Sequence, residues 1–364
     1  MDPDFAVNLA RYRIRPVVNS CSNSSRGPAC RLAARFGGSR ATSRGEILPT
    51  TPIVLVSLPR SGSTLLQRVL GSYDEVATAS EPWLLLPLLL PLRTDVPAAG
   101  AWQPGIHEAL SDFFKELPDG AASYERSVAE AARRLYREAA GDARFFLDKT
   151  PPYSLIIDQI ISALPEAKVV ILWRNPLAVL ASVVETFCGG RWRPQDYPTS
   201  LFVGLERLVD AATSHGERIC CVHYESLLDG AAEWERLCRY LGLDFDPASL
   251  QRFAGVQLSG AMGDPTGIKA YTQLTKEPTA KWQRTISNHL RRRWARRYLD
   301  WIGDQRLASM GYDGASLRQE LETAGGGWGG IPRDGIDLIE SAGRDLVKAR
   351  MGASTGVWGR LLRS

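Results

Sequence analysis

Pro59-Arg60-Ser61-Gly62-Ser63-Thr64 follows the apolar run Ile53 to Leu58 and leads through Leu65 into a helical pattern. A strand that turns sharply into a helix leaves several backbone N–H groups at the helix N-terminus without intrahelical acceptors, and the macrodipole adds partial positive charge there. Such a turn binds phosphate. Here Gly62 lets the backbone approach an anion, Ser61, Ser63 and Thr64 offer hydroxyls, and Arg60 supplies a fork-shaped cation. An ordinary helix start uses the same residue types, so the loop alone leaves both readings open. A Walker A loop is excluded, because no lysine precedes the hydroxyl pair and the earlier glycine is missing.

A second pair strengthens the anion-binding reading. Arg174 closes the apolar run Lys168 to Trp173, and Ser182 follows at the spacing Arg-Asn-Pro-Leu-Ala-Val-Leu-Ala-Ser, near the middle of the next helical stretch. An arginine at a strand's end and a serine two turns along a helix can hold a second phosphate beside the first. The strand ends in Trp173-Arg174-Asn175-Pro176 and not in an acid that could hold magnesium, which argues against a phosphotransferase.

The elements that must position these residues follow from periodicity. Strands are expected at 53–58, 145–148, 168–173 and 218–223, alternating with helices at about 63–72, 153–163, 176–187 and 231–241. That alternation predicts an α/β fold, a central parallel sheet flanked by helices, with 168–173 beside 53–58. Residues 93–144 read as a helical insertion. An Arg-rich helix over about 289–310 interleaves Trp294, Tyr298 and Trp301 at helical spacings, a pattern that packs on the domain more simply than it meets nucleic acid or membrane. The organisation expected is a disordered basic arm at 1–50, the main domain at 51–312, and a flexible tail with a short helix at 313–364.

Composition narrows the class. Forty-four basic against forty acidic residues give a formal charge of +4, too weak for bulk attraction of nucleic acid, so any anion site is local. Six cysteines without paired CxxC spacing and four histidines offer little for zinc and read as reduced thiols in a cytoplasmic protein. The apolar stretch Trp83 to Leu92 contains two prolines and falls short of the roughly 20 residues that a membrane span needs. It reads as core or as the wall of an acceptor pocket.

With both motifs in hand, the chain resembles the sulfotransferases that use 3′-phosphoadenosine 5′-phosphosulfate (PAPS), nearest to the branch with tyrosylprotein and bacterial sulfotransferases, over roughly residues 52 to 285. The resemblance implies a fold like that of the P-loop nucleotide hydrolases and transfer of a sulfuryl group to a hydroxyl without metal, leaving PAP. It implies that Arg60, Ser61, Gly62, Ser63, Thr64 and Leu65 bind the 5′-phosphosulfate and that Arg174 and Ser182 bind the 3′-phosphate. Lys149 in Asp148-Lys149-Thr150-Pro151 is placed like the family lysine that assists the leaving group; adjacent strand residues point to opposite faces, which weakens its reading as a partner of Asp148. Glu81 matches the glutamate that serves as base, Tyr224 the tyrosine beside the nucleotide, and Lys276, with Lys281 as the alternative, a closing phosphate contact. The histidine that phenol sulfotransferases place after the lysine is absent. Acceptors compatible with this pattern are hydroxyls of a glycan, a glycolipid or a small natural product. The competing reading is a non-catalytic module that binds PAP, which has no use for Glu81 or Lys149.

Overall fold

The computed structural model describes residues 50–93, 103–258 and 281–350. The basic arm up to residue 49, Lys276 with its loop, and the last fourteen residues lie outside them.

Five parallel strands form one sheet in the order β2-β3-β1-β4-β5. They are β1 (Thr51–Ser57), β2 (Val76–Thr78), β3 (Phe145–Lys149), β4 (Lys168–Trp173) and β5 (Ile219–His223). The central strands are runs of β-branched and other apolar residues because both faces of a parallel sheet are covered. Alternation along β1 shows this directly. Val54 and Val56 join one core with Val169 and Ile171, whereas Ile53 and Leu55 join the other with Val170 and Leu172. The expected neighbours β1 and β4 pair in register, Val54 opposite Val169 and Ser57 opposite Leu172.

β1 is the strand from which the chain builds outward on both sides, toward β3 and β2 on one and toward β4 and β5 on the other. Crevices at the carboxyl ends of strands near such a switch point are where open α/β sheets bind ligands. Most of the expected site residues among the described positions close a strand, follow its end or begin the helix behind it, and Ser182 lies two turns into its helix. Helix α1 (Ser63–Leu70) follows β1, and helices at Gln103–Phe114 and Ala121–Ala140 fill much of the connection between β2 and β3. The Ser182 helix runs over Pro176–Phe187, with Asn175 as its N-cap accepting from the Leu177 N–H at 2.9 Å.

Four details differ from expectation. β2 is a three-residue edge strand that periodicity did not reveal. The stretch expected as one helix at 153–163 is a 3₁₀ segment, Pro151–Leu155, followed by Ile157–Ala163. The Arg-rich helix stops at Ile302, because Gly303 turns the chain at φ +78° before a second helix, Asp304–Ser309. Its Trp294 and Tyr298 are buried, in keeping with packing on the domain. The region read as a flexible tail with a short helix contains two helices, Gly314–Thr323 and the twenty-residue Ile331–Arg350. Leu317 and Leu321 of the first enter the core. The second buries Asp334, which takes a bidentate pair from Arg291 at 2.7 and 2.8 Å, and Asp337, which pairs with Arg191.

Candidate functional site

The loop after β1 bends at Arg60 (φ +70°) and Gly62 (φ +92°), the second being the N-cap of α1. Arg60 and Trp83 are the two non-glycine residues with positive φ among the described residues, and both border this site. Strain of this kind persists only where surrounding structure over-determines it. Ser61, Ser63, Thr64 and Leu65 are buried, so the loop is packed from below while its backbone forms the opening turn of α1. Nothing larger than hydrogen fits at Gly62, since an added Cβ would meet Cδ2 and Cε2 of Tyr224 at 2.4 Å.

The second motif closes onto the first. Arg60 Nε donates to Ser182 Oγ at 3.3 Å across 122 residues of sequence, and Arg174 Nη1 donates to the Arg60 carbonyl at 2.8 Å. The Arg174 guanidinium lies 4.6 Å from the centre of the Tyr224 ring, a cation–π contact that orients both. Glu225 holds the turn behind Arg174: its carboxylate accepts from the Asn175 N–H at 2.9 Å and from the Tyr312 hydroxyl at 2.9 Å. Burial, and then that carboxylate, push the Tyr312 phenol well above its ordinary range, so it stays a donor. Arg60, Gly62, Arg174, Ser182 and Tyr224 thus converge at the ends of β1, β4 and β5.

One strand over, Lys149 ends β3 opposite Leu55. Its ammonium, almost fully buried, donates to Glu81 Oε1 at 2.7 Å, and the other oxygen of Glu81 accepts from the Trp83 indole N–H at 3.2 Å. Two residues singled out for separate roles are therefore in direct contact. Gln67, fully buried on α1, donates to the Ala79 carbonyl at 2.6 Å and to Thr78 Oγ1 at 2.9 Å, which ties α1 to the segment carrying Glu81.

Asp148 faces away from Lys149, as the pleat requires, and is completely buried. Tyr136 and Tyr153 hydroxyls donate to its Oδ2 at 2.7 and 2.8 Å, and Thr150 donates to Oδ1 at 2.9 Å. Burial raises the Asp148 carboxyl above its ordinary range, opposed by these hydroxyls and by the charge of Lys149. Asp148, Thr150, Tyr153, Glu225 and Gln67 were not among the residues the sequence nominated. Only Glu225 carried a local signal, standing directly after Tyr224 at the end of an apolar strand.

Lys281, the alternative to Lys276, is exposed just ahead of the buried Trp282. His223 packs locally, with Nε2 2.9 Å from the Met310 carbonyl. In the stretch Trp83 to Leu92, Leu85 and Leu89 belong to the core while the Trp83 ring stays exposed. Among the described residues no helix is long and apolar enough to cross a membrane.

The chain is similar to several known proteins. Nodulation protein NoeE of Sinorhizobium fredii (strain NBRC 101917 / NGR234) is 34% identical over 229 residues, 56% of this chain and 52% of NoeE, so the chain spans about half the length of that relative. Protein-tyrosine sulfotransferase A of Caenorhabditis elegans is 23% identical over 287 residues, 69% of this chain and 70% of that protein. Among solved structures, the sulfotransferase domain from the Synechococcus PCC 7002 olefin synthase superposes with a TM-score of 0.47 at 24% identity, covering 67% of this chain and 91% of that one. Residues 52–247, more than half of the chain and the segment that holds nearly all of β1 and all of β2 to β5 with the Pro59–Thr64 and Arg174–Ser182 stretches, match the sulfotransferase family, and the protein belongs to that family.

Proposed function

We propose that the protein transfers a sulfuryl group from PAPS to a hydroxyl of a glycan, a glycolipid or a small natural product. One observation carries the reading: the Arg60 to Ser182 contact, which joins two motifs 122 residues apart into one cationic pocket against the Tyr224 ring. Its residues fit a nucleotide with phosphates at two positions. The opening turn of α1 and Arg60 would hold the 5′-phosphosulfate, Arg174 and Ser182 the 3′-phosphate, and the Tyr224 ring the nucleoside between them.

The reaction forms a bond from the acceptor oxygen to sulfur as the bond from sulfur to the bridging oxygen breaks. The electron pair leaves with PAP and the acceptor proton passes to a base. Transition states of this loose, in-line kind are helped chiefly by positioning and charge. Lys149 would neutralise the charge that develops on the leaving phosphate, and Glu81 would take the proton. Their 2.7 Å contact supports transfer over mere nucleotide sensing, since a sensor needs neither group.

Radiolabelled PAPS offered with a panel of methyl glycosides, long-chain alcohols and phenols tests the proposal. Transfer by the wild type that falls at least about 100-fold in Glu81→Gln is expected of a lost general base. Binding of PAP with no transfer to any acceptor or to water would leave a nucleotide-binding module.

A further inference from the structure

We propose that Asp148 is a positioning residue that sets the candidate base Glu81 in place through the hydroxyls of Tyr153 and Thr150. The proposal rests on the reading of Glu81 given above.

The direction of the hydrogen bonds carries the argument. A carboxylate only accepts, so each hydroxyl at Asp148 must spend its proton there and has only lone pairs left for other partners. Tyr153 uses its oxygen to accept from the Leu85 N–H at 2.9 Å, and Thr150 uses its own to accept from the Trp83 N–H at 3.4 Å. The backbone of residues 83 to 85 therefore hangs from Asp148 by two relays. Trp83 takes φ +54° in this stretch, a conformation that a bulky side chain adopts only when it is held there. Its indole N–H in turn donates to Glu81 Oε2, and Lys149, the residue after Asp148, holds Oε1. Both oxygens of the base are thus referred to the same strand end.

Burial adds a second argument. Asp148 has no accessible surface, and every hydrogen bond it accepts comes from a neutral hydroxyl, while the adjacent cation is committed to Glu81 on the other face. A buried carboxylate is an expensive way to satisfy three hydroxyls if packing is the only purpose. It becomes intelligible if the fixed proton direction is the purpose.

Tyr136 provides an internal control. Its hydroxyl donates to the same oxygen of Asp148 as that of Tyr153, from helix Ala121–Ala140, but the acceptors of the Trp83 and Leu85 N–H groups are Thr150 and Tyr153. Tyr136→Phe and Tyr153→Phe each remove one phenol hydroxyl from Asp148, and only the second also removes the acceptor of the Leu85 N–H.

The experiment compares these two variants with Asp148→Asn and Glu81→Gln in the full chain. It follows amide exchange at Leu85, and PAP release from PAPS with water as the acceptor. For Tyr153→Phe, exchange at Leu85 should quicken by about tenfold or more, the release of a local hydrogen bond. Its kcat should fall by about tenfold with KM for PAPS within about twofold, as for a displaced group outside the donor site. Asp148→Asn should share that kcat loss, and Tyr136→Phe should change neither exchange nor kcat by more than about twofold. Equal effects of Tyr136→Phe and Tyr153→Phe would overturn the proposal and make Asp148 a packing residue. Wild-type kcat in Glu81→Gln would instead remove the base reading, while faster Leu85 exchange confined to Tyr153→Phe and Asp148→Asn would still report the relay.

Discussion

Replacing Gly62 by alanine combines two penalties that can be separated. At φ +92° an alanine pays for left-handed backbone, about 1–2 kcal/mol. Its Cβ would also lie 2.4 Å from two ring carbons of Tyr224, far inside the roughly 3.5–4.0 Å of an ordinary carbon contact. Tyr224 is buried, packs in the second core and is braced by Arg174, so it cannot swing aside freely. Overpacking of this kind costs about 1–3 kcal/mol, which puts Gly62→Ala at about 2–5 kcal/mol in total. A domain of this size should lose several degrees of melting temperature, on the order of 2–4 °C per kcal/mol. The decisive assay is a double-mutant cycle by urea denaturation. In a Tyr224→Ala background the steric part disappears and only the backbone part remains, so the two substitutions should couple favourably by about 1–3 kcal/mol. Strict additivity, or a Gly62→Ala loss below about 0.5 kcal/mol, would refute the claim that ring and loop are fitted to each other.

Other consequences can be tested on the same protein. Asp334→Asn leaves the largely buried Arg291 without its bidentate partner and should destabilise by about 3 kcal/mol, with amide exchange rising first in helix Ile331–Arg350; Arg291→Met with Asp334→Leu should recover part of the loss. If helix Ile331–Arg350 exchanges as fast in the wild type as in Asp334→Asn, the clamp is not formed in solution. For Glu233, burial acts to raise its carboxyl, but the hydrogen bonds and charge of Arg236 outweigh it and the net shift is downward. A depressed carboxyl contributes stability above its unfolded pKa and loses it as pH falls through the folded one. The stability difference between wild type and Glu233→Gln should therefore hold at neutral pH and shrink below about pH 4.3. A difference that grew on acidification would contradict that sign.

Much of the geometry at the ends of β1, β4 and β5 was legible because each motif announces itself locally. Short apolar runs predicted β1, β3, β4 and β5 to within a residue or two, and most of the nominated residues stand at or just beyond the strand ends. What the sequence hid is of two physical kinds. Helix Ile331–Arg350 sets Asp334, Asp337 and Ser341 against the body and leaves Ile336 and Ile339 exposed, so hydrophobic periodicity points the wrong way and the stretch read as a tail. The Asp148 network depends on hydroxyls of Tyr136 and Tyr153, and local sequence cannot connect Tyr153 to Leu85, 68 residues before it. The pleat did separate Lys149 from Asp148 in advance, but that Lys149 meets Glu81 follows only from strand order.

Calorimetry of PAP against ADP, on wild type and Arg174→Ala, decides whether the protein has a pocket for a nucleotide with both a 5′ and a 3′ phosphate. PAP should bind with micromolar affinity and ADP more weakly, and Arg174→Ala should lose about 10- to 100-fold for PAP with little change for ADP, the worth of charged hydrogen bonds to one phosphate. Equal affinity for PAP and ADP, undisturbed by Arg174→Ala, would contradict such a pocket.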